Sequence, residues 1–532
     1  MTQMTCGEAT ILLLEKYGVT TVFGIPGLHT LDFCRGLGSG VRHVQVRNEQ
    51  GAGFMAEGWA RATGEPGVVL VISGPGVTNA STPLGQAYAD SLPVLLISAE
   101  AASYTIGKGW GVLHEVTEQK KVTEPLTAFS ATAHRPADIP ELFARAFTLF
   151  RSERPRPVHI SIPIDVQAEI IDVDWEPVSL PALPRPGCGQ AFEAANLLKM
   201  AQTPVIMVGG GAASAGNELT AIAEQIGALV IASTAGKGVV ADDHPLSLSA
   251  STVRPEVLGM LPKADVILAV GTELSETDSF VERMDIDGKL IRVDIDATKI
   301  NDFYPATLGI IADAKSAMAE LRDALEGYTS NGREEAERRV RDVRAAITAG
   351  LSVSEKQHVA VLQALSEVAP DDLVWAGDAC QLVYTGAFAM PVRGPRRWFY
   401  PAGYCALGSA LPNAIGAKLA RPDTPVAVLA GDGGFMFTMP ELVTAAELGL
   451  SLPVVIWENG GLKQIQDDMD SRDITRVGVE GINPDFSMLA RACHCHAIDT
   501  SSLDELQSAF TAALEADRPT VIVVHEHRSS GP

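Results

Sequence analysis

The stretch AGDGGFMFTMPELVTAAELGLSLPVVIWENGG runs from Ala430 to Gly461 and opens at the end of the apolar run PVAVLAG. A small-residue segment of helical character follows, then a second apolar run, PVVIW, and then Asn459-Gly460-Gly461. Short continuous runs of Val, Ile and Leu, each followed by Gly, read as strands of a parallel sheet buried on both faces. A strand ending in Gly431-Asp432-Gly433-Gly434 and passing into a helix presents backbone N–H groups to a phosphate. Asp432 repels a phosphate unless a divalent cation lies between them, and Mg²⁺ takes one or two protein side chains plus phosphate oxygens and water. Asn459 stands 27 residues on, at the end of the next parallel strand, and ends of neighbouring strands lie side by side. It offers a neutral oxygen, and the glycines after it leave a backbone carbonyl free to offer another. An isolated GDG is a tight turn; paired with NGG across one strand, it reads as a cation–phosphate site.

The same grammar extends outward. VVLVIS (68–73), PVLLIS (93–98), PVIMVG (204–209) and DVILAVG (265–271) are further buried-strand runs in a chain of 532 residues, which is too long for one core. Hydrophobic residues make up 46% and aromatics only 6%, a composition of packed α/β proteins. Two stretches break the pattern: the proline-rich DVDWEPVSLPALPRPGCGQ (172–190) and the highly charged SNGREEAERRVRDVRAAITAG (330–350). Cutting there predicts three α/β domains, 1–172, 190–328 and 355–532, each a doubly wound parallel sheet. The first and third share an order of features: a Gly/Ala-rich helix, a strand, a Gly-x-Gly turn, a helix, then Leu-Pro-Val opening another strand. Gly58 to Gly74 and Gly416 to Gly431 match closely in spacing, each about one helix plus one strand, so these two domains are expected to be related and the middle one different.

A formal net charge of −24 argues against a nucleic-acid partner, which requires a cationic face. No apolar run approaches the ~18–20 residues of a membrane span, so no membrane partner is expected. The beginning, MTQMTCGEATILLLEKYGV, reads as an amphipathic helix and not as a secretory signal. Seven scattered cysteines without framework spacing fit a reducing cytoplasm.

GDGG, the interval and NGG together resemble the thiamine-diphosphate motif of the acetolactate synthase and 2-oxo acid decarboxylase superfamily, a resemblance that covers essentially the whole chain. It implies a pyrimidine-binding first domain, a Rossmann-like middle domain and a diphosphate-binding third domain. Asp432, Asn459 and the Gly461 carbonyl would hold Mg²⁺, and Gly433 and Gly434 would lie against the diphosphate of thiamine diphosphate. Gly377 and Asp378 in WAGDACQ match another diphosphate-contacting turn. HVQVRNEQGAGFMAEGWARATG resembles the segment whose glutamate, here Glu49, shares a proton with the cofactor's aminopyrimidine ring. ISGPGVTN offers Pro75 and Asn79 on the same side. In PAGYCALGSALPNAIGA, Leu407 occupies the place of the bulky apolar residue that bends the cofactor, a proximity effect. Cys405 stands where relatives often have glycine, so its backbone is the relevant part and its thiol reads as packing. The resemblance also implies active sites between subunits of an obligate homodimer, commonly a homotetramer.

VGGGAASAG after the strand PVIMV resembles a dinucleotide turn, a weak signal alone. The loop GTELSETDSF places Glu273, Glu276 and Asp278 where acetolactate synthases carry arginine beside FAD, so FAD is not expected. Cys493-His494-Cys495-His496 cannot converge on one zinc, because alternate side chains on a strand point oppositely; it reads as a strand leading into AIDT. His29 and His114 flank loops that reach the thiazolium end in this family. Each would relay a proton, bind a substrate carboxylate or be structural.

Decarboxylation of a small-molecule 2-oxo acid is the implied reaction, with acetolactate-type ligation as the alternative and a non-catalytic relative as the third reading. FGIPGLHTLDF, RNEQGAGFMAEG, GKGWGVLHE and SERPRPVHISIPIDV look most like 5-guanidino-2-oxopentanoate decarboxylases. In NGGLKQIQDDMDSRD, Gln466 and Asp468 replace the Arg and Trp usual in acetolactate synthases. Asp467, Asp468 and Glu115 are candidates to pair with a guanidinium tail. Asn48 departs from the histidine usual before the catalytic glutamate, and Gln464 from an expected acidic residue.

Overall fold

Three parallel sheets follow one another along the chain. The computed structural model describes residues 2–38 and 40–526. The first sheet has six strands in spatial order Arg42–Gln45, Thr21–Gly24, Gly67–Val71, Val94–Glu100, Val158–Pro163 and Phe129–Thr132. The third has Trp398–Phe399, Val374–Gly377, Val426–Gly431, Pro453–Glu458, Thr520–His525 and His496–Thr500. Numbered by order of appearance within each sheet, both read 2-1-3-4-6-5, with every neighbouring pair parallel. The middle sheet has five strands in the order 2-1-3-4-5. The fold is therefore α/β with three doubly wound sheets, the outer two alike.

Alternation along each strand builds the cores. Val69 and Val71 face one apolar cluster, while Val68 and Leu70 face another. Val428 and Ala430 share the first of these clusters, while Ala427 and Leu429 turn to a separate one. The first and third sheets thus have one core in common, in which each fully buried Val or Leu contributes about 1.5–3 kcal/mol. Two helices cross in it at glycines: Glu49–Thr63 and Ala410–Ala420. A Cβ on Gly58 would lie 2.0 Å from the Asn413 carbonyl oxygen, and one on Gly416 would lie 1.9 Å from that of Met55.

The proline-rich stretch forms no helix or strand from residue 174 to residue 189. The charged stretch is the helix Arg333–Ala349, which lays Ala336, Val340 and Ile347 into the middle core, so that core extends past residue 328. A cavity of about 900 Å³ opens at the strand ends of the middle sheet, where Gly210, Gly271, Glu273, Asp278 and Asp294 face Arg154 of the first unit. Arg154 bonds both oxygens of Asp294, at 2.9 and 3.0 Å, and one of Glu273 at 2.8 Å. Among the described residues no helix is long and apolar enough to cross a membrane.

Candidate cofactor and catalytic site

The third sheet places Asp432 at the first position of a short helix, Asp432–Phe435, directly after its central strand. One carboxylate oxygen accepts N–H bonds from Asn459 (3.2 Å), Gly460 (2.8 Å) and Gly461 (3.2 Å), and the other accepts that of Gly433 (2.8 Å). The Asn459 backbone therefore lies against Asp432 at the ends of adjacent strands. Gly460 and Gly461, at φ +86° and +124°, take a backbone that side chains disfavour. A Cβ on Gly433 would lie 3.8 Å from the Gly461 carbonyl oxygen, and one on Gly434 3.1 Å from the Asp378 carboxyl carbon. A carboxylate, an amide and a carbonyl around a bare glycine turn form an all-oxygen donor set suited to a hard cation beside a diphosphate. The residues present fit Mg²⁺ and a diphosphate.

Asp378 follows Gly377, the end of the neighbouring strand Val374–Gly377. Its carboxylate accepts N–H bonds from Ala379 (2.8 Å) and Gly408 (3.1 and 3.0 Å), and burial pushes its pKa up to about 6. Asp378 thus fixes the loop that carries Leu407. The same loop is held from the first unit, where Gln86 accepts from Ala406 (3.0 Å) and Asp90 from Gly403 (2.8 Å). Cys405 differs from the expected packing residue: it is exposed, with Sγ 3.6 Å from the Tyr400 hydroxyl. Its φ of +54° explains why glycine suits this position.

On the first sheet Glu49 begins the helix Glu49–Thr63, capped by Asn48, whose side chain accepts from Gln50 at 2.8 Å. Glu49 is buried and accepts a 2.9 Å bond from Asn79. Asn79 ends the short helix Pro75–Asn79, which follows Gly74 at φ +61°. His114 packs on Gly74, since a Cβ there would meet its carbonyl oxygen at 2.6 Å. His29 lies edge-on to His114 at 5.1 Å between ring centroids, with Nδ1 2.6 Å from the Ser73 hydroxyl. Burial first, and the neighbouring His114 second, hold the His29 pKa below its ordinary value. Glu49, Pro75, Asn79, His29 and His114 therefore gather on one side, and the diphosphate-type residues gather on another. Among the described residues no hydrogen bond joins the two groups directly.

Two buried or docked groups carry no signal in the sequence. Glu441 accepts the N–H bonds of Arg47 (3.0 Å) and Asn48 (3.1 Å), reaching from the third unit to the start of the Glu49 helix. Burial raises its pKa. Asn483 donates to Asp432 from a loop 51 residues downstream (2.8 Å). Neither has a local motif, because its partner is remote in sequence.

The substrate candidates are engaged differently from one another. Asp467 pairs with Lys463 and accepts from Gln381 at 2.9 Å, while Asp468 accepts from Gln464 at 3.3 Å. Glu115 accepts the Gly111 N–H at 2.7 Å. Gln466 is buried and turned onto the Val479 carbonyl (3.0 Å), so it braces a loop. The CHCH segment is a strand only from His496; Cys493 caps a helix and His494 sits at φ +62°. Among the described residues no three His, Cys, Asp or Glu side chains gather into a metal-ligating group.

Comparison with known proteins finds related sequences along nearly the whole chain. Residues 4–122 match the thiamine pyrophosphate enzyme N-terminal TPP binding domain, residues 192–321 the central domain, and residues 378–524 the C-terminal TPP binding domain. The probable 2-ketoarginine decarboxylase AruI of Pseudomonas aeruginosa is 47% identical over 526 residues, covering 98% of this chain and 93% of that protein. The acetolactate synthase large subunit of Corynebacterium glutamicum is 32% identical over 98% of this chain and 86% of its own. Acetolactate synthase isozyme 3 large subunit of Escherichia coli is 32% identical over 98% and 94%.

Proposed function

This chain belongs to the thiamine pyrophosphate enzyme family, and from that premise we propose that it is a thiamine-diphosphate- and Mg²⁺-dependent decarboxylase of a 2-oxo acid, 5-guanidino-2-oxopentanoate. The observation that carries the reading is the joint presence of Glu49, held by Asn79, and Asp432, wrapped by the Asn459–Gly461 turn, in a chain 47% identical to a 2-ketoarginine decarboxylase. Bound thiamine diphosphate supplies the electron sink for loss of CO₂. Glu49 holds a proton at the aminopyrimidine ring, with Asn79 fixing its carboxylate. Pro75 stiffens the turn that would contact that ring, and Leu407 would support the cofactor from the loop held by Asp378. Asp432, Asn459 and the Gly461 carbonyl would hold the cation, and Gly433, Gly434 and the Gly377–Asp378 turn would lie against the diphosphate. His29, neutral near pH 7, accepts or returns a proton next to the substrate, with His114 beside it. Asp467, Asp468 and Glu115 are the carboxylates assigned to the guanidinium tail.

Ligation of the acetolactate type is the second reading, favoured by the acetolactate synthases among the relatives. A product assay separates the two. Purified protein with thiamine diphosphate and Mg²⁺ is given 5-guanidino-2-oxopentanoate or pyruvate. CO₂ and an aldehyde from the guanidino acid alone support decarboxylation; acetolactate from pyruvate overturns it in favour of ligation.

We assign the working state to a homodimer or homotetramer with active sites between subunits. Support comes from the separation of the two residue groups and from exposed apolar side chains beside both, Leu28, Trp110, Leu113 and Phe437 among them. No flavin is assigned to the middle cavity, because its loop carries Glu273, Glu276 and Asp278, which disfavour a pyrophosphate there. The seven free thiols fit a reducing cytoplasm.

A further inference from the structure

Asp432 is not the only carboxylate at this edge of the third sheet. Gly431 pairs in register with Trp457, so Asp432 and Glu458 follow side by side at the ends of neighbouring strands. The two carboxylates are close neighbours, since one side chain bonds both, yet a Mg²⁺ site built on one carboxylate, one amide and one carbonyl needs only the first. Asn483 lies between them. Its single amide nitrogen donates to Asp432 Oδ2 at 2.8 Å and to Glu458 Oε1 at 3.2 Å. An amide nitrogen has two N–H bonds, so one serves each carboxylate. Glu458 is drawn further aside by His525, which it pairs with and whose other ring nitrogen contacts Asp499 at 2.9 Å.

The loop that carries Asn483 is docked on the same turn. The Val479 carbonyl accepts the Leu462 N–H (3.0 Å) and the Gln466 side-chain amide (3.0 Å), and Gly461 bridges Glu480 in antiparallel fashion. Asn483 is thus delivered to Asp432 by a segment anchored at the carbonyl-bearing glycine of the candidate cation site.

We propose that Asn483 is a positioning residue that presents Asp432 to the cation while keeping Glu458 out of the donor set, and so sets the preference for Mg²⁺ over larger cations. The inference rests on the reading of Asp432 as a cation ligand. Residues that orient metal ligands commonly govern affinity by about 10–100-fold when replaced. Their removal here has a particular consequence. With no donor between them, the two carboxylates offer more oxygens, which favours Ca²⁺, with its roughly six to eight ligands, over octahedral Mg²⁺.

Calorimetric titration of thiamine diphosphate into the full-length protein, at stepped Mg²⁺ or Ca²⁺ concentrations, tests this without any turnover. Asn483→Ala is expected to weaken the Mg²⁺ dependence by about 10–100-fold and to shift the Ca²⁺/Mg²⁺ affinity ratio towards Ca²⁺. Adding Glu458→Gln is expected to bring the ratio back towards that of the unaltered protein. Equal weakening for both cations would mean that Asn483 only stabilises its loop, and an unchanged Mg²⁺ titration would mean that it does nothing at the site; either overturns the inference. If the unaltered protein binds thiamine diphosphate with no divalent cation, the reading of Asp432 itself is what fails.

Discussion

The first and third sheets share one strand order and differ at the turn after their third strand. In the first, Gly67–Val71 runs into Ser73-Gly74-Pro75 and the helix Pro75–Asn79; in the third, Val426–Gly431 runs into Asp432-Gly433-Gly434 and the helix Asp432–Phe435. One turn carries no charge, the other a buried carboxylate wrapped in N–H groups. An uncharged turn suits a heteroaromatic ring, and a carboxylate with an amide and a carbonyl suits a cation–diphosphate. On the proposed reading the same architecture supplies the two halves of one site, and the division of labour lies in three residues at a turn, not in the fold.

Paired substitution separates the two halves most clearly. Glu49→Gln is expected to lower kcat by about 10²–10⁴-fold while thiamine diphosphate still binds, because the cation side is untouched. Asp432→Ala is expected to abolish cofactor retention. Both variants alone should be close to inactive. Mixed and reassembled, each hybrid dimer regains one site made of an intact Glu49 and an intact Asp432, for roughly a quarter of the original activity if sites lie between subunits and assembly is random. No recovery on mixing, with hybrid dimers verified by mass spectrometry of differently tagged chains, places both groups of a site on one chain.

The kinship of the two halves is legible in the amino-acid sequence because it rests on local pattern. Apolar runs with Gly at their ends give the strands, and the recurring interval from a helical glycine to a turn glycine marks the two halves as related. The Asp432–Asn459 pairing is legible for the same reason, since one strand separates them. The meeting of Gly58 and Gly416 is not: the sequence shows two glycines at equivalent places, and only packing shows that each helix crosses the other there. Glu441, Asn483 and the exposed Cys405 stay hidden for a related reason. What Glu441 and Asn483 touch, and what leaves Cys405 bare, is set by how distant segments dock.

A smaller effect sharpens the kinship of the halves. Gly58→Ala puts a methyl group within 2.0 Å of the Asn413 carbonyl oxygen, and Gly416→Ala puts one within 1.9 Å of the Met55 carbonyl oxygen. These contacts are with backbone, which cannot swing aside, so each variant is expected to cost about 1–3 kcal/mol, measured as a shift in the urea midpoint. The two sites belong to one crossing, so the costs should not add: the first methyl already forces the helices apart. A double variant with fully additive cost would show that the crossing accommodates each change separately.

The smallest expected effect concerns charge on the ring side. His29 has its pKa held below 6.5, chiefly by burial and secondarily by His114. In the folded protein it therefore binds fewer protons than in the unfolded chain between its lowered pKa and 6.5. Folded stability attributable to His29 is present above pH 6.5 and is lost as pH falls through that window. His114→Asn removes only the secondary cause, so the His29 pKa should rise slightly yet stay below 6.5, as followed by the ring-proton NMR signal of His29. Ser73→Ala leaves the burial in place but frees Nδ1 from its 2.6 Å partner. The lowered pKa should persist, while the tautomer, read from the ring nitrogen shifts, is no longer fixed. A His29 pKa that returned fully to 6.5 in His114→Asn would reverse the order of causes and make the His114 charge, not burial, the larger one.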